Sequence, residues 1–226
     1  RPFGEKLNAS FDFLKENWKL LLKFTTYLLL PLCLIQALSL NGLMSGALSI
    51  SAIASSTAMA ASSSSLIAFG SYYGLYMFLY LIGIILLTSL VYGLIRTYNE
   101  REERLQGVTL GMLKPRLFRN IKRLLLMTGA CILLVLFVGI FVGLLVALTP
   151  FTLFLTIPFI IAFSVPLALL APIYLFEDIT LMEAFKKTFR LGFATWGGVF
   201  LVSLLMGIIA NVLQGVTMMP WYIATV

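Results

Sequence analysis

Leu124–Leu148 reads LLLMTGACILLVLFVGIFVGLLVAL, continuously apolar and without a charge. At 1.5 Å per helical residue, about 20 such residues cross the ~30 Å hydrocarbon core of a bilayer. A barrel strand would instead alternate apolar and polar positions over about ten residues. The stretch reads as a transmembrane helix, and the regions on either side of it repeat the pattern.

The whole chain has 226 residues, of which 61% are apolar and 11% charged, with a mean hydropathy of +1.03. Soluble domains carry about 45–50% apolar and roughly 25% charged residues, so this composition excludes a wetted surface. All sixteen basic and nine acidic residues fall in three windows, Arg1 to Lys23, Arg96 to Arg123 and Glu177 to Arg190. The net charge of +7 therefore flanks apolar spans and does not form a basic soluble domain, which argues against a nucleic-acid partner.

Spans are expected at Leu20–Leu40, Gly74–Ile95, Leu124–Leu148, Pro150–Phe176 and Trp196–Val216, with a sixth starting near Met219. The fold class is thus all-α, a polytopic transmembrane helical bundle of five to six spans in three hairpins. As a single transmembrane domain, 1–226, it divides into 1–95, 96–176 and 177–226, each an amphipathic helix plus a hairpin. Two spans return the chain to its starting side, and the Lys/Arg excess marks that side, with the amino terminus, as cytoplasmic. The chain starts at Arg1 and stops at Val226, a few residues into a new apolar segment, so one or both natural ends are expected to lie beyond it.

Inside the charged windows the apolar residues keep helical spacing. Phe3, Leu7, Phe11, Leu14 and Trp18 share one face in the first; Leu110, Leu113, Leu117, Ile121 and Leu124 share one in the second. In the third, Thr180 and Glu183 have capping-box spacing ahead of Leu181, Phe185 and Phe189. Each predicts a cytoplasmic helix lying in the membrane interface. Divergent internal duplication and the plain consequence of an even number of spans both account for the threefold plan.

Other features carry less. Asn41–Ser65, with nine serines and six alanines, predicts a flexible connector. Pro158 and Pro166 should loosen the fourth span, while Gly139/Gly143 and Gly70/Gly74 allow close helix packing. Ser203, Gly207, Asn211 and Gly215 step along one face of the fifth span, with Gln214 adjacent and Gln36 in the first span as a candidate polar partner. Cys33 and Cys131 are expected as buried packing residues, since no CxxC or histidine accompanies them. Apart from Lys23 at the edge of the first, no charge lies within an expected span; the chain has no histidine, and no phosphate-binding glycine loop or metal-ligand cluster occurs. Neither cofactor, metal nor catalytic residue is therefore expected, nor an enzyme.

The third window carries a resemblance. Ala171-Pro172-Ile173-Tyr174, then Glu177, then Leu181-Met182-Glu183-Ala184-Phe185-Lys186-Lys187-Thr188-Phe189-Arg190-Leu191 leading into Trp196 resembles the membrane-domain family associated with bacterial glycerophosphodiester phosphodiesterases. That likeness implies a stand-alone membrane module in a bacterial inner membrane, concerned with glycerophospholipids and lacking the catalytic domain.

These readings converge on a noncatalytic integral membrane module that binds lipid, a protein partner or a second copy of itself. Lys19, Lys23, Lys122, Arg123, Lys186, Lys187 and Arg190 are the candidate headgroup contacts. Trp18 and Trp196 are the candidate interface anchors. The candidate intramembrane polar face is Gln36, Ser203, Asn211 and Gln214. The alternative is a transporter or permease subunit for a lipid or hydrophobic solute, using the proline-rich fourth span and the polar face of the fifth.

Overall fold

The computed structural model describes residues 3–54, 62–149 and 151–225. Those residues form α1 (Phe3–Ala54), α2 (Ser62–Glu100), α3 (Leu110–Leu148), α4 (Thr152–Leu167), α5 (Leu170–Phe176), α6 (Leu181–Ala194) and α7 (Trp196–Thr225). Among the described residues, five stretches are long and apolar enough to cross a membrane: Asn8–Leu48, Leu66–Glu100, Leu110–Leu148, Thr152–Phe176 and Trp196–Pro220. The fold is an all-α membrane bundle. Large apolar side chains on these helices have no protein cover; Phe137 is 73% exposed and Phe154 81%. Such an exterior needs an apolar cover, which a bilayer supplies.

Several boundaries differ from expectation. The first two amphipathic segments are not separate helices, because no proline or glycine interrupts the chain between Asn8 and Lys23 or between Arg116 and Leu126 and α1 and α3 run straight through. Asn41–Ala54 is helix, not connector. Its alanines favour helix and its two glycines are tolerated because they face a neighbour; residues 55–61 lie outside the described set. The sixth span does not begin at Met219, since α7 continues across Pro220 to Thr225. Pro220 costs α7 one backbone bond and crowds the preceding turn, but it does not end the helix. Pro150, the expected start of the fourth span, lies outside the described residues, and α4 opens at Thr152.

The chain divides into two compact units, Arg1–Leu125 and Leu126–Val226. In the first, α1 and α2 form an antiparallel hairpin whose contacts descend in order. An added Cβ on Gly46 would lie 3.5 Å from Phe69, on Gly42 2.6 Å from the Tyr72 ring, and on Gly83 3.1 Å from Leu32. Lipid offers apolar surface as readily as protein does, so close approach at small residues, not hydrophobic burial, holds such pairs together. Nearer the charged end Phe24 meets Leu90 and Leu94, joined by Leu113 of α3 and by Leu105 and Val108 of the 101–109 turn. That turn reverses direction through positive φ at Arg104 (55°) and Gly107 (69°).

In the second unit Met127 and Cys131 of α3 pack on Leu170 and Tyr174 of α5 and Ala184 of α6. Cys131 is half-buried, whereas Cys33 is exposed on α1, contrary to its expected burial. The helical face of α1 that meets α2 runs through Phe13, Leu20, Phe24 and Leu28, and Cys33 falls off that line. Gly139, Gly143, Gly70 and Gly74 have nothing within 4 Å of an added Cβ. Their spacing is therefore not used for packing within either unit; in the second unit the close approach is instead at Gly192 of α6, where an added Cβ would lie 2.6 Å from Pro166 of α4.

Candidate functional site

The charged ends of the helices hold the polar chemistry. On α1, Lys19 and Lys23 are exposed beside Trp18, which is 53% exposed. The Lys19 ammonium sits 5.7 Å from the Trp18 ring centre. Phe11 and Leu14 are exposed too, so the part of the expected stripe from Phe11 to Trp18 faces away from protein; the side chains of Phe3 and Leu7 lie outside the described set. The opposite face docks. Phe13 meets Tyr98 edge-on at 5.1 Å, and Glu16 accepts from Arg104 at 2.7 Å and from the Tyr98 hydroxyl at 3.2 Å. Glu16 beside it holds the Arg104 guanidinium above its ordinary pKa.

The second stripe behaves differently. Leu113 and Leu124 are buried and Leu110 and Leu117 half-buried, packed against protein and not against a membrane surface. The reason is the antiparallel neighbour α2, whose Ser89 hydroxyl donates to the Leu117 carbonyl at 2.9 Å. Asn120 returns a longer contact to the Ser89 carbonyl at 3.4 Å. Lys122 is exposed and Arg123 half-buried.

Between the end of α2 and the start of α3 lies an open cleft of about 230 Å³. Arg96, Arg116, Arg119 and Glu100 line it with Gly93, Pro115 and Asn120. Glu100 is clamped at 2.8 Å by Arg96 and at 2.6 Å by Arg116, which also donates to the Thr97 hydroxyl at 3.2 Å. Arg96, Arg116 and Arg119 are absent from the candidate contacts read from the sequence. They sit in a window of mixed charge, and only the fold shows that residues twenty positions apart share one hollow.

On the third window the capping box forms. The Thr180 amide donates to Glu183 at 3.0 Å and the Glu183 amide to the Thr180 hydroxyl at 3.4 Å. The Thr180 backbone bond, then its side-chain bond, lower the Glu183 pKa below the usual carboxylate value. The aromatic face of α6 meets α4, with Phe163 5.8 Å from Phe189 and 5.4 Å from Phe193. Lys186 and Arg190 are left exposed, while Lys187 pairs with Glu177 at 2.6 Å.

Trp196 is half-buried, stacked on Phe200 at 5.0 Å, and its indole N–H donates to the Ala162 carbonyl at 3.1 Å. Pro166, four residues beyond Ala162, has no amide to satisfy that carbonyl. On α7 the Asn211 amide donates to the Gly207 carbonyl of its own helix at 2.8 Å, and Ser203 and Gln214 are exposed. Gln36 is half-buried on α1.

The fold and its apolar exterior define an integral membrane protein with five candidate spans. No family model, curated protein or solved structure matches the chain.

Proposed function

We propose that the chain is a noncatalytic module of a bacterial inner membrane, amino terminus cytoplasmic, that holds anionic glycerophospholipid at its charged helix ends. The observation that carries this reading is the exposed cation set Lys19, Lys23, Lys122, Lys186 and Arg190, set beside an exterior of uncovered apolar side chains. Each cation near an anionic surface contributes about 1 kcal/mol. The resemblance over Ala171–Trp196 supports glycerophospholipids as the lipid class. That stretch supplies all but the first residue of α5, the whole of α6 and the first residue of α7, including the Glu177–Lys187 pair.

The test is native mass spectrometry of the gently extracted chain. The double reversal Lys186→Glu/Arg190→Glu leaves the Lys187–Glu177 pair intact and should reduce retention of anionic lipid while helicity persists. Unchanged retention rejects the reading, and a retained protein in place of lipid turns it into an accessory-subunit role.

The break in the fourth span favours one other reading, a transporter or permease subunit for a lipid or hydrophobic solute. There α4 ends at Leu167, and α5 begins only at Leu170. Interrupted membrane helices commonly line substrate paths. Flux of a labelled lipid across liposomes containing the purified chain would select it over a static module.

A further inference from the structure

We infer that one anionic glycerophospholipid seats in a groove along the outer face of α1, with its phosphate on Lys23 and an acyl chain running past Leu30 and Pro31. A hollow of about 520 Å³ lies there, lined by Leu22, Lys23, Thr26, Tyr27, Leu30 and Pro31. That volume falls in the ~300–1,000 Å³ range of small-molecule sites.

Its shape follows from the sequence. Residues four apart form ridges on a helix. Leu22, Thr26 and Leu30 make one ridge, and Lys23, Tyr27 and Pro31 the next. Thr26 is the low point between two leucines, and the short Pro31 ring lowers the end of the second ridge, so a trough runs between longer side chains. One turn back toward the charged end the same ridges reach Trp18 and Lys19, whose ammonium lies 5.7 Å from the indole ring centre. That contact sets a second cation at the mouth of the trough. In the other direction Leu34 is exposed in line with Leu30. Lys23 to Leu34 spans about 17 Å at 1.5 Å per residue, close to one leaflet, half of the ~30 Å hydrocarbon core. The trough has the length of one lipid and carries its cations at the headgroup end.

The polar groups along it complement a glycerophospholipid in order. An ammonium suits the phosphate, and about one turn nearer the bilayer Thr26 and Tyr27 supply hydroxyl donors where ester carbonyls, which only accept, would lie. Other helical hydroxyls in the chain bond the carbonyl four residues back: Ser39 to Ile35, Thr97 to Gly93, Thr217 to Leu213. Among the described residues, the Lys23 ammonium and the Thr26 and Tyr27 hydroxyls have no partner. An acceptor on the lipid removes the cost of leaving such donors unmet at the edge of hydrocarbon. Free phosphate would leave the apolar half of the trough unused, and a zwitterionic lipid would gain less from the two lysines.

This inference rests on the proposed reading in taking anionic glycerophospholipid as the ligand, and places one molecule of it on α1. Its test is native mass spectrometry of the full chain released from nanodiscs of phosphatidylglycerol and phosphatidylcholine in equal parts. One phosphatidylglycerol per chain should survive activation that strips the remainder. Lys23→Gln should lower its retention about fivefold, the worth of one lysine at an anionic surface. Lys15→Gln makes the same charge change two turns outside the groove and should cost less than about twofold. Thr26→Trp keeps every charge but fills the trough, and should cost about tenfold or more by steric exclusion. Thr26→Ser keeps the hydroxyl and should retain the lipid, and Val135→Trp, adding bulk to an exposed position of α3, should change nothing. Circular dichroism verifies that each variant folds.

Equal losses for Lys23→Gln and Lys15→Gln, parental retention by Thr26→Trp, or no phosphatidylglycerol surviving on the parent chain each overturn the groove. A second copy of the chain held in place of lipid, and released by Thr26→Trp, overturns it in favour of a self-association face. Retention that falls with Lys186→Glu/Arg190→Glu but not with Lys23→Gln or Thr26→Trp removes the groove and leaves the proposed function. The converse pattern keeps the groove and removes lipid binding at the third charged window.

Discussion

Trp196 donates to a carbonyl that Pro166 has deprived of its helical partner, so two residues that each look like a local irregularity form one joint. An unsatisfied carbonyl away from water costs about 1–3 kcal/mol. Trp196→Phe keeps an aromatic ring beside Phe200 but exchanges the indole for a smaller phenyl without the N–H, so it should lower stability by at least about 1–3 kcal/mol in thermal unfolding of the detergent-solubilised protein. Trp18→Phe, on the exposed face of α1, should change stability by no more than about 0.5 kcal/mol. Equal effects from the two would mean that the indole bond contributes nothing. Both tryptophans read as interface anchors in the sequence because both border an apolar span. The signal separating them was Pro166, whose missing donor implies an orphan carbonyl at Ala162, but which side chain answers it is a tertiary fact. Ser89 and Asn120 were hidden in the same way. One lies in an apolar run and the other among charges, and neither steps along a helix with further polar residues as Ser203 and Asn211 do.

The helices themselves were largely legible, because 20 uncharged apolar residues admit few other structures. Less legible was which face of each helix meets protein. The stripes of α1 and α3 have the same spacing, yet Phe11, Leu14 and Trp18 are uncovered while Leu113 and Leu124 are buried. Periodicity reports an apolar face and not whether lipid or protein covers it. Glycine spacing was ambiguous for the same reason, and Gly192 supplies the contrast with Gly139. An added methyl on Gly192 would lie 2.6 Å from the Pro166 Cα, a backbone atom that cannot swing aside. Gly192→Ala should therefore push α6 from α4 and cost about 1–3 kcal/mol by overpacking. Gly139→Ala meets open space and should be neutral or stabilising by up to about 1 kcal/mol through helix propensity. Unfolding of the two variants in one detergent compares them directly, and a Gly192→Ala protein as stable as the parent would mean that α6 is not held against Pro166.

At the scale of the molecule, lengths and charges constrain one another. Asn8–Leu48 and Leu110–Leu148 contain 41 and 39 residues, about 60 Å each at 1.5 Å per residue, twice the ~30 Å hydrocarbon core. The excess must stand outside the bilayer, and the charged residues identify one end of each helix as the part that does so. Lys23 closes the charges of α1 and Arg123 those of α3, so the apolar lengths that remain begin just after them. Phe24–Ile95 and Leu124–Phe176 each hold two candidate spans, and positive charge is retained preferentially on the cytoplasmic side. All three charged windows should then be reachable from that side alone. In a background with Cys33 and Cys131 replaced by alanine, single cysteines at Asn8, Gln106 and Asp178 should react with a membrane-impermeant maleimide only in inside-out vesicles. Cysteines at Ser45 and Phe151, at the far ends of α1 and of the turn after α3, should react only in right-side-out vesicles. The reversed pattern would keep the hairpins and invert the orientation. Labelling of Gln106 and Asp178 from opposite sides would require an odd number of crossings between them, and the paired-span arrangement would fail.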